Sequence, residues 1–467
     1  MKKNKNIFSS IQKYSDKIAI IDTNFKKIKY KQLISDAKKI ERKFEFKELI
    51  AVFSENSYEF IVSLVASIRS NQTIILLNPQ MSQKDLSNFI NKYSPHLFFC
   101  QDKKLNESYK EILKFKRYRL YKIKKPKKFN LFPNLSCLLS TSGTTGDVKY
   151  VKISNENLFK NTTDIANALK IDSNDVAITT MPPFYSYALS IINTHLYKGG
   201  TIIINNYSMV DRKFSEIFNY YKPTNLNGVP YNFEILVRIK FNNMKLENLK
   251  FITQAGGKLG DELKNYLIKT CTKDKIKLFI MYGQTEASPR ISIMPWPLLK
   301  KFPDSVGYPL SDGKIFIKNK FKHNNKMIGE IIYKGKNVFL GYSSSFKDLY
   351  KKNEQKNILN TGDIGYKDEK GLIYILGRKK RILKIFGIRI SLDYIENELK
   401  KYGFNCVCSG DDKKLNVHTK LENHKDSSSM KKLIIAIKSI TKLPNNYFKV
   451  FQSSDFKRNK IGKILHK

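Results

Sequence analysis

Short apolar segments alternate with longer amphipathic segments through most of the chain. The short segments have the length and composition of buried strands, and they lie at Val176–Met181, Thr201–Ile204, Lys250–Thr253 and Leu278–Met281. The segments Asn157–Leu169 and Asp261–Thr270 carry apolar residues at helical spacing and are predicted to be amphipathic helices. Such alternation predicts an α/β fold in which helices cover layered, largely parallel sheets.

The pattern changes at about Lys314, where short strand-like stretches and turns follow one another closely. The stretches KIFIKNK, GEIIYKG and GLIYILGR predict a smaller β-rich subdomain. After Arg378 the pattern predicts a compact α+β unit, with a strand at Ile382–Ile385 and helices at Leu392–Tyr402 and near Met430–Thr441. The polar stretch Asp411–Ser429 is predicted to be a loop.

Length and composition limit the class of protein. A chain of 467 residues is too long for one compact core and predicts about two to four domains. Hydrophobic residues make up 41% and charged residues 27%, which is typical of a globular protein. The N-terminal stretch begins with lysines, but Gln12 and Asp16 interrupt the apolar run of a signal peptide. Apolar runs elsewhere are far shorter than the ~20 residues of a membrane helix. We therefore expect a cytoplasmic protein.

The cysteines and histidines follow no pattern of a disulfide framework or a metal site. Cys100, Cys137 and Cys271 are isolated, whereas Cys406 and Cys408 are one residue apart. Because their number is odd and no C-x-x-C pair occurs, we interpret them as reduced residues that act as small apolar side chains. The histidines form no H-E-x-x-H motif, so no zinc site is expected.

The segment Leu138–Lys152, LLSTSGTTGDVKYVK, is the strongest candidate for binding phosphate. Glycines let the backbone approach phosphate oxygens, hydroxyl and N–H groups donate hydrogen bonds to them, and a lysine neutralises their charge. The segment is not a Walker A loop, because G-x-x-x-x-G-K-[ST] is absent. Taken alone, a loop of this composition could also be an ordinary turn.

A second motif follows a predicted buried strand. Met281–Ala287 reads MYGQTEA, in which the aromatic ring of Tyr282 can stack on a purine. Thr285 and Glu286 can hold a phosphate and its magnesium ion. Smaller motifs follow, namely NTGD at Asn360–Asp363, Gly377–Arg378, Gly387 and Gly462–Lys463. Each has a plain structural alternative, since Asp363 could cap a turn and Lys463 could be a solvated lysine.

In their order and spacing, these motifs resemble those of the adenylate-forming superfamily. It comprises the acyl-CoA synthetases, the adenylation domains of peptide synthetases and the beetle luciferases. The matching motifs are TSGTTGxxK, YGQTEA, SVGYP (Ser305–Pro309), GEI with GY (Gly329–Tyr342), TGD, GRKKRILKIFG and the terminal GK. The resemblance runs from about Ile18 to Lys467 and is closest to the acyl-CoA and acyl-carrier-protein ligases. It implies a large N-terminal AMP-binding domain, residues 1–378, and a small mobile C-terminal domain, residues 379–467, joined by a hinge.

The resemblance implies how the nucleotide would be bound. The ATP phosphates and pyrophosphate would be held by Thr141, Ser142, Gly143, Thr144, Thr145, Gly146 and Lys149. The adenine slot would be formed by Gly256, Gly257, Tyr282 and Gly283. Thr285 would contact the α-phosphate, and Glu286 would bind Mg²⁺. Asp363 would accept hydrogen bonds from both ribose hydroxyls, with Arg378 supporting the ribose.

The resemblance also implies sites for the acid, the thiol and the domain movement. The acyl pocket would lie among Pro182–Ser190, Gly228–Glu234 and Tyr282–Arg290, lined by Tyr185, Ser186, Ala188, Val229, Pro230 and Gln284. Lys380 matches the family's hinge position, and a pantetheine tunnel would pass near Gly387. Lys463 would bridge the substrate carboxylate and the α-phosphate during adenylation.

The chain departs from the family pattern at a few positions. Val148 replaces the proline before the loop lysine, Asn155 and Tyr185 replace two frequent histidines, Ala188 replaces a glycine, and Lys457 replaces a proline near the C-terminus. None of these changes removes a charge that the phosphate chemistry needs, so we expect an active enzyme. Domains specific for α-amino acids usually carry Asp at the position of Tyr185, where it pairs with the ammonium group. We therefore expect a fatty or other non-amino acid as substrate.

The implied activity is that of an ATP- and Mg²⁺-dependent acid–thiol ligase, which forms an acyl-AMP and then transfers the acyl group to CoA. A phosphopantetheinyl carrier protein is an alternative acceptor. An alternative of another class is a catalytically degenerate binding protein of the same fold. The presence of Lys149, Glu286, Asp363 and Lys463 argues against it.

The formal net charge of +44 has three interpretations. Lysines are spread along the whole chain, and Lys, Asn and Ile are all abundant, which favours a coding bias toward AT-rich codons. Attraction of an acidic carrier protein or of polyanionic CoA is a second interpretation. Dedicated nucleic-acid binding is disfavoured, because no helix-turn-helix, zinc finger or RNA-binding motif accompanies the charge.

Overall fold

The structure is a computed structural model in which most of the chain is described. The described residues are 6–101, 105, 107–127, 129–140, 149–241, 244–323, 326–385, 388–420, 427–453 and 456. The helices in them are α1 (Tyr30–Glu41), α2 (Tyr58–Arg69), α3 (Gln83–Tyr93), α4 (Asn155–Ala168), α5 (Ser186–Lys198), α6 (Arg212–Tyr221), α7 (Pro230–Arg238), α8 (Asp261–Lys273), α9 (Trp296–Leu299), α10 (Leu392–Lys401) and α11 (Ser427–Thr441). No helix in these ranges has the length and apolar character needed to cross a membrane.

The strands within the described ranges belong to five sheets. They are β1 (Ile18–Ile21), β2 (Lys27–Lys29), β3 (Leu49–Phe53), β4 (Thr73–Leu77), β5 (Leu97–Cys100), β6 (Tyr109–Phe115), β7 (Tyr118–Ile123), β8 (Leu135–Ser140), β9 (Tyr150–Ser154), β10 (Val176–Ile178), β11 (Thr201–Ile203), β12 (Asn225–Gly228), β13 (Phe251–Gln254), β14 (Lys277–Gly283), β15 (Arg290–Ile293), β16 (Tyr308–Pro309), β17 (Lys314–His323), β18 (Lys326–Lys334), β19 (Gly341–Ser343), β20 (Ile358–Lys367), β21 (Ile373–Arg378), β22 (Ile382–Ile385), β23 (Ile388–Ser391), β24 (Cys406–Gly410), β25 (Leu415–Thr419) and β26 (Phe448–Gln452).

Two large sheets form the N-terminal part of the protein. The first has the order β16-β15-β14-β13-β12-β10-β11-β1-β2, and its strands from β14 to β1 run parallel. The second has the order β19-β9-β8-β4-β3-β5-β7-β6, with a parallel centre from β8 to β5. Val52 and Leu139 of the second sheet share the largest core with Ile202 of the first. Because both sheets bury apolar residues against the same core, the layered α/β prediction is confirmed.

The helices bury the faces that the sequence pattern indicates. In α8 the buried side chains are Lys264, Leu267, Ile268 and Cys271, which recur at helical spacing. Helix α2 is buried along nearly its whole length, as expected of a helix that is apolar on all sides. Helix α4 begins directly after β9 with a capping box, in which Ser154 accepts from the Asn157 N–H and the Asn157 side chain accepts from the Ser154 N–H.

The β-rich subdomain predicted from Lys314 onward is a four-stranded antiparallel sheet of order β17-β18-β20-β21. The residues after Arg378 form an α+β unit, with two small sheets packed on α10 and α11 around a separate apolar core. The strand predicted at Ile382–Ile385 has those bounds. The prediction of a loop at Asp411–Ser429 was wrong, because Leu415–Thr419 forms β25 and α11 begins at Ser427. In β25 alternate residues are buried, a short pattern that the surrounding lysines and aspartates obscured.

Asn337 ties the β-rich subdomain to the segment between β14 and β15. Its amide Nδ2 donates to the carbonyl oxygens of Ala287 at 2.7 Å and Arg290 at 2.8 Å. Its Oδ1 accepts from the Tyr333 hydroxyl at 2.7 Å, and its own carbonyl accepts from the Ser288 hydroxyl. The side chain is buried, so these bonds have no competition from water.

We predict that Asn337→Ala lowers the free energy of unfolding by about 2–3 kcal/mol, because it leaves buried polar groups without partners. The measurement is the thermal midpoint of the purified protein. The control is Asn206→Ala, which removes one exposed hydrogen bond to the Asn56 carbonyl and should change stability by less than about 0.5 kcal/mol. Equal midpoints for the two variants would contradict the role given to Asn337.

Candidate active site

The candidate site is a large cavity at the carboxyl ends of β13 and β14. It has a volume of about 1750 Å³ and is lined by residues of the N-terminal sheets, the β-rich subdomain and the unit after Arg378. The carboxyl ends of parallel strands in open α/β sheets are the usual place for a ligand. Gln254 ends β13 and Gly283 ends β14, and both line the cavity. The topology therefore brings the two central sequence motifs to one place.

Two glycine positions shape the floor of this cavity. Gly256 has φ +85°, a left-handed conformation that L side chains rarely adopt, and an added Cβ would lie 3.1 Å from Val229. The Gln254 side chain holds the same turn by donating from Nε2 to the Gly257 carbonyl at 2.8 Å. At Gly283 an added Cβ would lie 1.9 Å from the Pro289 carbonyl oxygen, so β14 and β15 can approach only because this residue has no side chain.

Asp363 joins the end of β14 to the β-rich subdomain. The Tyr282 hydroxyl donates to Oδ2 of Asp363 at 2.5 Å, and Nε of Arg378 contacts Oδ1 at 2.9 Å. Burial, followed by the negative charge of Asp363, raises the pKa of Tyr282 well above its usual value, so the phenol stays a donor. Asp363 is buried, whereas Arg378 is half-exposed. A carboxylate accepts hydrogen bonds on both oxygens, so Asp363 has the chemistry to accept from a ligand's hydroxyl groups.

Glu286 follows the end of β14 by three residues and also lines the cavity. The Tyr342 hydroxyl donates to Oε1 of Glu286 at 2.8 Å, and the Glu286 carbonyl accepts from the Phe339 N–H. Tyr342 is on β19, which pairs with β9 through Tyr342 opposite Val151. Tyr342 therefore links Glu286 to β9, the strand that follows the segment Thr141–Gly146 in the sequence.

Thr285 and Ser186 connect this region to α5. Their hydroxyl oxygens are 3.1 Å apart, and both residues line the cavity. Tyr185, the residue before Ser186, packs against Phe184 with ring centroids 4.5 Å apart. Burial raises the pKa of Tyr185, so its ring presents a neutral surface to the cavity. This part of the cavity is mainly aromatic and can accommodate the apolar part of an acid.

The unit after Arg378 closes one side of the cavity. The Arg378 N–H donates to Oδ2 of Asp393 at 2.8 Å, and Arg381 pairs with both Asp393 and Glu396. Burial raises the pKa of Glu396 to about 7 despite its pairing with Arg381. Lys380, in the turn between β21 and β22, also lines the cavity and is exposed.

Glu286 provides the chemistry expected of a magnesium site that also uses ligand phosphates. No cluster of three or more His, Cys, Asp and Glu side chains occurs within the described ranges. Mg²⁺ is commonly bound by one or two carboxylates together with substrate phosphates rather than by a protein cage. The single carboxylate of Glu286, held by Tyr342, fits this arrangement.

Comparison with known proteins identifies the family. Residues 7–343 match the family model described as AMP-binding enzyme. The chain belongs to the AMP-binding enzyme family. The adenylate-forming resemblance of the motifs is thereby confirmed. The cavity is lined by residues of the matched region, of the β-rich subdomain beyond it and of the unit after Arg378.

Curated relatives of this AMP-binding enzyme include several CoA ligases. It is 31% identical over 255 residues to probable 4-coumarate–CoA ligase 3 of Dictyostelium discoideum. This match covers 54% of this chain and 46% of that protein. The chain is 26% identical over 398 residues to 2-succinylbenzoate–CoA ligase of Oceanobacillus iheyensis, covering 82% of this chain and 81% of that protein. The matched part thus spans about half the length of the first relative and most of the second.

Solved structures show the same fold over nearly the whole chain. ATP-bound MatB from Rhodopseudomonas palustris superposes with a TM-score of 0.78 at 20% identity, covering 98% of this chain and 97% of that one. The o-succinylbenzoate CoA synthetase MenE from Bacillus subtilis, in complex with its acyl-adenylate, gives a TM-score of 0.76 at 20% identity. The superposition covers 98% of this chain and 96% of that one. These likenesses establish the architecture.

The structure brings many of the sequence-predicted residues to the cavity. Those lining it are Tyr185, Ser186, Val229, Gly256, Gly257, Tyr282, Gly283, Gln284, Thr285, Glu286, Asp363, Arg378 and Lys380. Ala188, Pro230 and Lys149 are not among the described residues that line it. Ala188 is buried in the largest core, and Lys149 is exposed just before β9. The predicted residues outside the described ranges are Thr141, Ser142, Gly143, Thr144, Thr145, Gly146, Gly387 and Lys463.

The sequence assigned no individual role to two residues that the structure places at the site. Arg290 was only the last residue of the predicted acyl-pocket segment Tyr282–Arg290, and Tyr342 was only part of a matching motif. Tyr342 is the hydrogen-bond donor to Glu286, and the GY pair at Gly341–Tyr342 was the available signal. Arg290 is a buried arginine that lines the cavity. No local pattern in the segment SPRIS marks it, because an isolated arginine is usually exposed.

We predict that Asp363→Asn weakens ATP binding by about 10-fold to 100-fold, because hydrogen bonds to a charged acceptor are the stronger ones and Asp363 organises both Tyr282 and Arg378. The measurement is the dissociation constant by calorimetry. The matched control is Asp368→Asn in the turn after β20, where the carboxylate accepts from the Leu372 N–H. An unchanged affinity in Asp363→Asn would contradict the assignment.

Proposed function

We propose that this chain is an ATP-dependent acid–thiol ligase. It activates a carboxylic acid as acyl-AMP with release of pyrophosphate and then transfers the acyl group to CoA. The observation that carries the proposal is one continuous cavity with three chemically distinct parts: the Tyr282–Asp363–Arg378 cluster, the Glu286 carboxylate and the aromatic surface at Tyr185. The CoA ligases among its relatives support the same activity.

The first step brings like charges together. The substrate carboxylate attacks the α-phosphorus, a bond to the α-phosphorus forms, and pyrophosphate leaves with the electron pair of the broken P–O bond. We assign the ribose hydroxyls to Asp363, the adenine to the slot at Gly256, Gly257, Tyr282 and Gly283, and the α-phosphate to Thr285. A bound Mg²⁺ would neutralise phosphate charge, and Glu286 would hold it with Tyr342 fixing the carboxylate.

In this proposal, lysines neutralise the rest of the negative charge on the phosphates and the substrate carboxylate. We assign the phosphate loop of Thr141–Gly146 and Lys149 to the β- and γ-phosphates, and Lys463 to the bridge between the substrate carboxylate and the α-phosphate. A pair of unit charges ~4 Å apart contributes roughly 4 kcal/mol at an intermediate dielectric constant. Lysine side chains in these positions would therefore act mainly in the transition state, where charge is greatest.

The second step, transfer of the acyl group to the thiol, depends on the proposed domain boundary after Arg378. Residues 379–467 form the mobile domain, and rotation about Lys380 replaces Lys463 with the thiol, which enters near Gly387. The separate apolar core of the unit after Arg378 and the exposed position of Lys380 support this division. CoA is the proposed acceptor because the relatives are CoA ligases. The charge of +44 keeps an acidic carrier protein as the alternative acceptor.

The acid is proposed to be a fatty, aryl or other non-amino acid. Tyr185 faces the cavity with a neutral ring and cannot pair with an α-ammonium group. Met181 and Phe184 add apolar surface beside it. A substrate with an aliphatic or aromatic body fits this lining better than an α-amino acid does.

The function is tested by carboxylate-dependent exchange of labelled pyrophosphate into ATP, with short and long fatty acids, aryl acids and amino acids. Exchange with at least one non-amino acid is the expected result, because acyl-AMP formation is reversible. Folded, ATP-binding protein that supports no exchange with any acid would contradict the proposed function. CoA and a phosphopantetheinyl carrier are then compared as acceptors by thioester formation.

We predict that Lys463→Ala slows adenylation by roughly 10²–10³-fold, since each ~1.4 kcal/mol corresponds to tenfold in rate. The same variant should still form thioester from supplied acyl-AMP and CoA, because Lys463 acts only in the first step. Lys467→Ala is the control and should adenylate normally. Equal loss of both half-reactions in Lys463→Ala, or loss of neither, would contradict this division of roles.

A further inference from the structure

Arg290 is a buried cation that lines the cavity. It is the first residue of β15 and pairs with Gly283 at the end of β14. Its exposed fraction is 2%, and Nε and Nη2 have no hydrogen-bond partner within the described part of the chain. Buried polar groups are nearly always hydrogen-bonded, and those that are not call for a physical explanation such as a missing ligand.

The protein holds this arginine firmly in place. Asn161 of α4 clamps its backbone, with Oδ1 accepting from the Arg290 N–H at 3.2 Å and Nδ2 donating to the Arg290 carbonyl at 2.9 Å. The guanidinium carbon lies 4.9 Å from the centroid of the Tyr187 ring. Tyr187 is itself fixed, since its hydroxyl donates to the Thr253 carbonyl at 3.0 Å. The cation is therefore preorganised rather than mobile.

Among the described residues, no carboxylate forms an ion pair with Arg290. Burial lowers the pKa of Arg290 to about 10, so it is still protonated at neutral pH, and the electrostatic interaction that opposes this shift comes from Tyr187. Arg381, which is more exposed than Arg290, pairs with both Asp393 and Glu396. Removing an arginine from water without an anionic partner costs free energy, which an anionic ligand would offset.

The position of Arg290 indicates which ligand would pair with it. Tyr187 belongs to the same segment as Tyr185 and Ser186, to which we assign the acid. We assign the nucleotide to a different cluster, the ion pair of Asp363 and Arg378 on the β-rich subdomain. Arg290 thus lies beside the part of the cavity to which we assign the body of the acid. A guanidinium there can form two parallel hydrogen bonds to a carboxylate.

We propose that Arg290 binds a second anionic group of the acid substrate, so that the enzyme acts on dicarboxylic acids. The inference rests on the proposed function and refines its substrate class. One carboxylate reacts at the α-phosphate, and the other pairs with Arg290 above the Tyr187 ring. The spacing between the two carboxylates is set by the length of the acid, which the experiment scans.

The test compares matched acids that differ only in the second carboxylate: pentanoate with glutarate, hexanoate with adipate, and benzoate with terephthalate. In pyrophosphate exchange by the full chain, kcat/KM for at least one dicarboxylate should exceed that of its partner by about tenfold or more. Arg290→Met should remove this preference and leave the ATP dissociation constant unchanged. Arg290→Lys should keep part of it, since the charge remains without the bidentate geometry. Arg212→Met, at an exposed arginine, is the control and should behave as the unmodified chain does.

The outcomes separate the inference from the proposed function. The inference is overturned if each monocarboxylate is a better substrate than the matched dicarboxylate and Arg290→Lys does not change this order. The proposed ligase activity would stand in that case. Weakened ATP binding in the Arg290 variants also overturns it, because the arginine would then belong to the nucleotide site. No exchange with any acid overturns the proposed function instead. If Arg290→Met does not fold, the preference of the unmodified chain for the dicarboxylate and the reduction of that preference in Arg290→Lys still decide.

Discussion

The site depends on the two contacts that the Asp363 carboxylate makes with Tyr282 and Arg378. The carboxylate accepts from Tyr282 at the end of β14 and pairs with Arg378 at the end of β21, so one buried side chain fixes the N-terminal sheet against the β-rich subdomain. Arg378 in turn donates its N–H to Asp393 in the following unit. Loss of Asp363 would therefore disturb the proposed nucleotide site and the contact between Arg378 and the following unit together.

The second constraint is how charge is distributed inside the cavity. Other cations of the described chain have carboxylate partners, as the buried Lys264 does in Asp261 and Asp304 and the partly buried Arg381 does in Asp393 and Glu396. Arg290 is held by its backbone and by an aromatic ring instead. Protein interiors tolerate such a charge where binding free energy offsets its cost, which is the case at functional sites. The aromatic lining and the cation together would select an acid with an apolar body and an anionic end.

Much of this architecture could be predicted from sequence, because it follows local patterns. The strand at Leu278–Met281 and the motif after it place Tyr282, Thr285 and Glu286 at a strand end without any tertiary information. The hydrogen bond from Tyr342 to Glu286 and the burial of Arg290 depend on contacts between segments far apart in sequence, so no local pattern encodes them. Strand β25 was missed for a related reason, since its alternation is only a few residues long and lies among charged residues.

The most direct test of acyl-AMP formation follows one oxygen atom. An acid labelled with ¹⁸O in its carboxylate is incubated with the protein, ATP, Mg²⁺ and CoA, and the nucleotide product is analysed by mass spectrometry. Attack of the carboxylate on the α-phosphorus, followed by transfer of the acyl group to sulfur, leaves one carboxylate oxygen on the phosphate. We therefore predict AMP that carries one ¹⁸O atom. Unlabelled AMP, or label in inorganic phosphate with ADP as the nucleotide, would contradict the account.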